Sequence, residues 1–211
     1  SNDVQADLTK TLLSFKDAAL PSLVKAFSNP SWHVRRAASR IIASLGEGAL
    51  SRFLELIPVN EEDVDFWMVE TLSIMGGQAT NYLIHAFRNA NPRIQLAAIR
   101  AAANVKDPKI VPSLLSLLEE KDWPVRKAAF DSLLGVHHLN QHAILAALKK
   151  SSPEAKYWAI KLSAERHDPE LIPLYQEIVE QDPEESKIEA IRALAHYDSR
   201  EVQKILVGFL A

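Results

Sequence analysis

Apolar side chains return along this chain in a pattern with a period of 30 or 31 residues. Val34-Arg35-Arg36-Ala37-Ala38 is followed at intervals of 30 by Val64-Asp65-Phe66-Trp67-Met68 and Ile94-Gln95-Leu96-Ala97-Ala98. Val125-Arg126-Lys127-Ala128-Ala129, Ala155-Lys156-Tyr157-Trp158-Ala159 and Ser186-Lys187-Ile188-Glu189-Ala190 continue the series at 31, 30 and 31. Self-similarity at a fixed period of this length is the mark of a repeat architecture. Aligning the six copies gives three apolar columns. The first holds Ala38, Met68, Ala98, Ala129, Ala159 and Ala190, and the next Ser39, Val69, Ile99, Phe130, Ile160 and Ile191. Three residues further on come Ile42, Leu72, Ala102, Leu133, Ser163 and Leu194. Counted from the Val34 position of each copy, these columns stand at i+4, i+5 and i+8, a spacing that forms one stripe of a helix and does not fit strand alternation. The alanine column lets neighbouring helices approach closely, to ~8–10 Å.

Each copy therefore predicts two helices. The second, B, carries these columns. The first, A, has its own stripe, as in Leu20, Leu23, Val24 and Phe27, or Ile110, Leu114, Leu115 and Leu118. Ala143-Ile144, Leu148 and Leu171, Leu174, Ile178 continue it. Punctuation agrees with this division. Asn91-Pro92, Asp107-Pro108, Ser152-Pro153, Asp168-Pro169 and Asp182-Pro183 each place a side-chain acceptor before a proline, which suits a helix start. Gly46 and Gly76 stand at equivalent ends of helix B, where a left-handed cap is cheap for glycine. Helices of about 12 residues alternating through short loops predict an all-α chain, an α-solenoid of about six to seven two-helix repeats.

The pattern Asp/Asn-x-x-Val-Arg-x-Ala-Ala, followed by an apolar helix, resembles the short HEAT-like repeats found in phycobilin lyases and in many bacterial interaction proteins. Asp122-Trp123-Pro124-Val125-Arg126-Lys127-Ala128-Ala129 fits it best, and Trp32-His33-Val34-Arg35-Arg36-Ala37-Ala38 next. Copies two and six depart most, with Asp65 and Lys187 at the arginine position. The resemblance spans essentially the whole chain. It implies the solenoid fold and says little of function.

A longer periodicity lies over the first. Leu20-Pro21-Ser22-Leu23 returns as Val111-Pro112-Ser113-Leu114, and Trp67 as Trp158, both 91 residues on. A three-repeat unit duplicated as residues 17–107 and 108–198 accounts for this. Neither end shows a polar capping repeat, so the 211 residues read as one array, 1–211, cut from a longer protein.

Composition narrows the function. Alanine (28) and leucine (27) dominate while glycine is scarce (6), which favours helices. With no cysteine there is no disulfide framework and no thiolate ligand. No apolar run reaches the ~18 residues of a membrane helix, and no signal-peptide core opens the chain, so a cytoplasmic protein without a membrane is expected. Residues 1–105 hold ten basic and ten acidic side chains and residues 106–211 hold 14 and 17. That balance lacks the basic footprint of a nucleic-acid groove and argues against a HEAT-like DNA glycosylase, despite a faint echo in Trp67-x-x-Glu70. His137, His138 and His142 cluster in sequence without a nearby carboxylate, so no metal and no cofactor is expected. The His-Glu dipeptides through which HEAT-like deoxyhypusine hydroxylases hold iron are missing. No catalytic constellation is found.

What remains is a binding surface. On a solenoid the B helices line the concave side. One B column reads Arg36, Phe66, Leu96, Lys127, Tyr157, Ile188, and its neighbour Ala37, Trp67, Ala97, Ala128, Trp158, Glu189. The pairs Phe66-Trp67 and Tyr157-Trp158 are candidate anchors for a protein or peptide. Alternatively, Trp67 and Trp158 fill gaps between repeats, as large aromatics are highly buried on average. A third column, Arg40, Glu70, Arg100, Asp131, Lys161, Arg192, is either a solvated ladder of salt bridges between neighbouring helices or a polar floor that orients a ligand. Arg35 and Arg126 are expected to bond acids or carbonyls in turns of the adjacent repeat. The chain thus reads as a non-enzymatic scaffold for a protein or peptide, anchored by Phe66, Trp67, Tyr157 and Trp158 and oriented by Arg36, Arg40, Glu70 and Arg100. The alternative implied by the resemblance is a chromophore-attachment or chaperone component, as in the phycobilin lyases, ahead of the HEAT-like DNA glycosylase.

Overall fold

A computed structural model describes residue 7, residues 10–57, 62–105, 107–136, residue 144, and residues 152–165 and 167–209. His137, His138, His142, Ala143 and Leu148 lie outside the described residues. Two compact units emerge, Ser1–Ser113 and Leu114–Ala211. Every described element is helical.

In the first unit the A-type helices are α1 (Leu20–Lys25), α3 (Leu50–Glu55) and α5 (Thr80–Ala86), and the B-type helices are α2 (Trp32–Ser44), α4 (Glu62–Met75) and α6 (Pro92–Ala102). Helix α7 (Val111–Ser116) ends one unit and opens the next. In the second unit the B helices are α8 (Trp123–Gly135), α9 (Pro153–Ala164) and α11 (Glu184–Leu194), with A helices α10 (Ile172–Gln181) and α12 (Arg200–Gly208). B helices pack on B helices in sequence order, α2 on α4 on α6 and, separately, α8 on α9 on α11, with A helices behind them.

The A helices are shorter than the pattern predicts because 3-10 turns take up their ends. Lys16–Ala19, Pro108–Ile110 and Pro169–Leu171 are 3-10 turns, each followed by an α-helix with proline in second place, namely Pro21, Pro112 and Pro173. Proline offers no amide hydrogen to the preceding turn, so the regular i→i−4 ladder starts only after it.

Two of the three apolar columns carry the core throughout, while the middle one does so in part: Ser39, Ile99, Phe130 and Ile160 are buried, Val69 is half-buried and Ile191 is exposed. Ala38, Met68, Ala98, Ala129, Ala159 and Ala190 are all buried, as are Ile42, Leu72, Ala102, Leu133, Ser163 and Leu194. In the A stripes Leu115 and Leu174 are only half-buried, and Tyr175 takes the interior place beside Leu174. Gly46 (φ 81°) and Gly76 (φ 54°) take positive φ just beyond their helices, which is cheap for glycine, although the extended ψ of Gly46 (−175°) differs from that of a left-handed helical cap.

Capping follows the sequence in four of the five Asx/Ser-Pro positions. The side chains of Asn91, Asp107, Ser152 and Asp168 accept from the amides of Arg93, Lys109, Ala155 and Glu170. Asp182 behaves differently. Its carboxylate accepts from Lys156 Nζ at 2.6 Å, joining the turn before α11 to α9, and both side chains are largely withdrawn from water. Breaking such a pair strands a desolvated cation, so Asp182→Asn should cost about 1–2 kcal/mol in a urea titration at pH 7, above the ~0–1 of an exposed pair. A change under about 0.5 kcal/mol would place Lys156–Asp182 among ordinary surface pairs.

The arginine column clamps turns of its own repeat, where bonds to the adjacent repeat were expected. Arg35 Nη1 donates to Asn29 O at 2.8 Å, and Arg126 Nη1 to Glu120 O and Lys121 O at 2.6 and 2.7 Å. Gln95, in the same column, donates to Phe87 O at 2.7 Å. Of these, Lys156 hydrogen-bonds into the next repeat, through Asp182, and Arg35 reaches it by lying over the ring of Trp67.

Candidate partner-binding face

The outward side of α2, α4 and α6 is built by helical spacing. Side chains three or four apart share a face, so Trp32, Arg36 and Arg40 form one stripe on α2, and Phe66, Glu70 and Ile74 another on α4. Leu96, Arg100 and Asn104 follow from α6 into the residues after it. Neighbouring helices are held in the register of the repeat: Asn104 Nδ2 donates to Ser73 Oγ at 3.0 Å, 31 residues back. Equivalent residues therefore lie side by side, giving a row Arg36, Phe66, Leu96 and a second row Arg40, Glu70, Arg100.

Phe66 is 60% exposed, the most open aromatic on this face, while Trp67 beside it is 6% exposed. The indole of Trp67 stacks on Phe27 from the end of the first A segment (centroids 6.4 Å, 23°), and Arg35 lies over it at 5.7 Å. Phe66 meets it edge-on at 5.0 Å. Of the two readings open for Trp67, the structure shows the gap filler. Arg36, Arg40 and Arg100 are exposed and Glu70 is half-buried. Arg36 lies over the ring of Trp32 at 5.6 Å. Trp32, 47% exposed, thus joins this face although the columns did not single it out; its place four residues before Arg36 was the available signal.

The second unit repeats the plan with different partners. Trp158 is 6% exposed and packs on Phe130 at 5.1 Å, so it too fills the interior. Tyr157, half-buried, meets Trp158 edge-on at 5.3 Å. Lys161 Nζ lies 5.1 Å from the Tyr157 ring centre and 3.2 Å from its hydroxyl. The charges here are engaged along single helices: Lys127 with Asp131 at 2.6 Å, and Arg192 with the buried carboxylate of Glu189. The expected ladder between neighbouring helices is absent from the described residues of the Arg40–Arg192 column. In the first unit, Arg36, Arg40 and Arg100 have no carboxylate partner among the described residues.

Two family models match within this architecture, one described as HEAT repeats over residues 80–136 and one as HEAT repeat over residues 19–49. Both stretches carry HEAT-like repeats. The HEAT repeats at 19–49 contain α1 and α2, and those at 80–136 run from α5 to the end of α8. No curated protein matches the chain. Among solved structures it is similar to the complex of CpcE and CpcF of phycocyanin lyase from Nostoc sp. PCC7120, with 20% identity, 69% of this chain and 98% of that one covered, and a TM-score of 0.44. It is also similar to a computationally designed armadillo repeat protein for modular peptide recognition, at 17% identity, 85% and 100% coverage and a TM-score of 0.39. A designed armadillo repeat protein in complex with the peptide (KR)4 compares at 17% identity, 88% and 95% coverage and 0.39. No helix among the described residues is long and apolar enough to cross a membrane.

Proposed function

We propose that this HEAT-like chain is a non-enzymatic scaffold that holds a protein or peptide against the outward side of its B helices. The observation that carries the reading is Phe66, 60% exposed on a packed helix and braced edge-on by a buried tryptophan. A rigid aromatic with one free face binds without losing much side-chain freedom, which is how aromatic anchors come to dominate interfaces. Arg36, Arg40, Glu70 and Arg100 surround it and orient the ligand. Tyr157 plays the corresponding part in the second unit. Trp67 and Trp158 contribute from beneath by fixing the rings above them. The recurrences at 91 residues support a single array in which residues 17–107 and 108–198 arose by duplication.

The test separates anchor from bulk hydrophobicity. Peptides selected from a display library on the intact chain should bind Phe66→Ala about tenfold more weakly or worse, as expected for a central anchor. They should bind Val207→Ala unchanged, since Val207 is equally exposed but sits on the A-type helix α12. Equal binding to all three proteins removes Phe66 as the anchor and the reading with it.

A further inference from the structure

The unpaired cations of the first unit specify the ligand. On the α2–α4–α6 face, Arg36, Arg40 and Arg100 are exposed and lack carboxylate partners among the described residues, whereas the matching Lys127 and Arg192 of the second unit each bind an acid of their own helix. Arg36 and Arg40 from one outer helix and Arg100 from the other flank the stripe of Phe66 and Glu70, which come from the central helix. Packed helices are spaced ~8–10 Å apart. A ligand strand crossing them must therefore present like-facing side chains about every 9 Å. A β-strand repeats its faces every ~7 Å, and its residues three apart point to opposite sides. Polyproline II has three residues per turn and rises ~3.1 Å per residue, so residues i, i+3 and i+6 fall on one side about 9 Å apart.

We propose, on the basis of the scaffold reading above, that this face binds an acidic peptide in polyproline II conformation, with the pattern acid-x-x-apolar-x-x-acid. The two acids meet Arg36 or Arg40 at one side and Arg100 at the other. The apolar residue lies on Phe66. Glu70, one turn along α4 from Phe66, repels an acid at the centre and so fixes the register. Charge complementarity of this kind sets specificity and orientation more than raw affinity. A nucleic-acid strand would also present anions to the arginines, but Glu70 stands in its path and the chain carries 24 basic against 27 acidic side chains.

The decisive experiment titrates the intact chain with the capped heptapeptide Glu-Pro-Pro-Phe-Pro-Pro-Glu, carrying a neutral dye, and reads fluorescence anisotropy. Binding should exceed that of the counterpart with glutamine at both ends by about tenfold, and the counterpart with lysine at both ends should not bind. Arg36→Gln and Arg100→Gln should each weaken the glutamate peptide several-fold. Raising salt from 50 to 500 mM should weaken it with the native protein, a readout independent of any variant's folding. A glutamate in place of the central phenylalanine should abolish binding. If glutamine or lysine peptides bind as tightly, or the arginine variants behave as wild type, the acidic ligand is wrong. Selected library peptides that depend on Phe66 but are neutral or basic would overturn the acidic ligand and leave the docking face standing. Loss of every Phe66-dependent binder would remove both. Tighter binding of oligo(dT) than of the glutamate peptide would reassign the face to nucleic acid.

Discussion

Replacing Trp67 by alanine should lower the unfolding free energy by about 3–5 kcal/mol, while the same change at Phe66 stays within about 0.5. These two neighbours in sequence differ in what surrounds them. The Trp67 ring is a plug shared by two repeats, stacked on Phe27, covered by Arg35 and met edge-on by Phe66. Its removal leaves a cavity between helices that cannot close without shifting α2 against α4, which pack directly. Arg35 would lose its aromatic cover while still bound to Asn29 O. Because each repeat is supported chiefly by its neighbours, the damage should appear as early melting of the first unit. Urea denaturation followed by circular dichroism measures it. A Trp67→Ala protein within 1 kcal/mol of wild type would show that the ring is not an inter-repeat plug. Phe66→Ala, by contrast, should fold normally and fail only in binding, so the pair of variants separates packing from recognition.

That contrast marks how far the sequence could be read. The 30–31-residue period, the alanine column and the Pro-preceding caps placed the helices and the core correctly, because burial of a short side chain follows the position of its Cβ. The column read as facing outward beside Arg36 and Phe66 escaped it. Ala97, Ala128 and Glu189 are buried in that column along with Trp67 and Trp158, and only Ala37 is exposed; in the second copy the indole reaches back over the preceding repeat to Phe27. Trp158 reaches Phe130 on α8 by the same principle, although the bulky partner comes from a B helix there and from an A segment in the first unit. Charge pairing escaped for a related reason. Columns suggest partners on adjacent helices ~8–10 Å away, but residues three or four apart on one helix have Cβ atoms only ~5–6 Å apart. Lys127 and Arg192 accordingly chose Asp131 and Glu189. The first unit offers Arg36 and Arg40 no acid at that spacing on α2, and there the cations remain available to a ligand.

Ser163 is the polar exception in an otherwise apolar column, and it leads to the second large effect: a loss of stability in alkali that Tyr175→Phe should lessen. Tyr175 is fully buried on α10, and its hydroxyl donates to Ser163 Oγ at 2.8 Å on α9. Ser163 Oγ in turn donates to Ile160 O at 2.8 Å, so the serine stands where a leucine would otherwise fill the seam because it completes a chain of hydrogen bonds. Burial pushes the Tyr175 hydroxyl well above its ordinary pKa, and the bond to Ser163 offsets this only in part. Burial raises Tyr197 and Tyr82 as well. The sign follows from proton counting. Above pH ~10 the unfolded chain has released the tyrosine proton and the folded chain keeps it, so unfolding gains by proton release. Stability from Tyr175 is complete below pH 10 and then falls by about 1.4 kcal/mol per pH unit, amounting to nearly 3 kcal/mol by pH 12. Tyr175→Phe should start about 1 kcal/mol less stable at pH 7 through the lost hydrogen bond, and then decline less steeply, so that the two curves cross in alkali. Chemical denaturation at pH 7, 9, 10.5 and 12 reads both slopes. Parallel curves for wild type and Tyr175→Phe would mean that the Tyr175 hydroxyl ionises in the folded protein as readily as in the unfolded chain, and that burial does not hold it neutral.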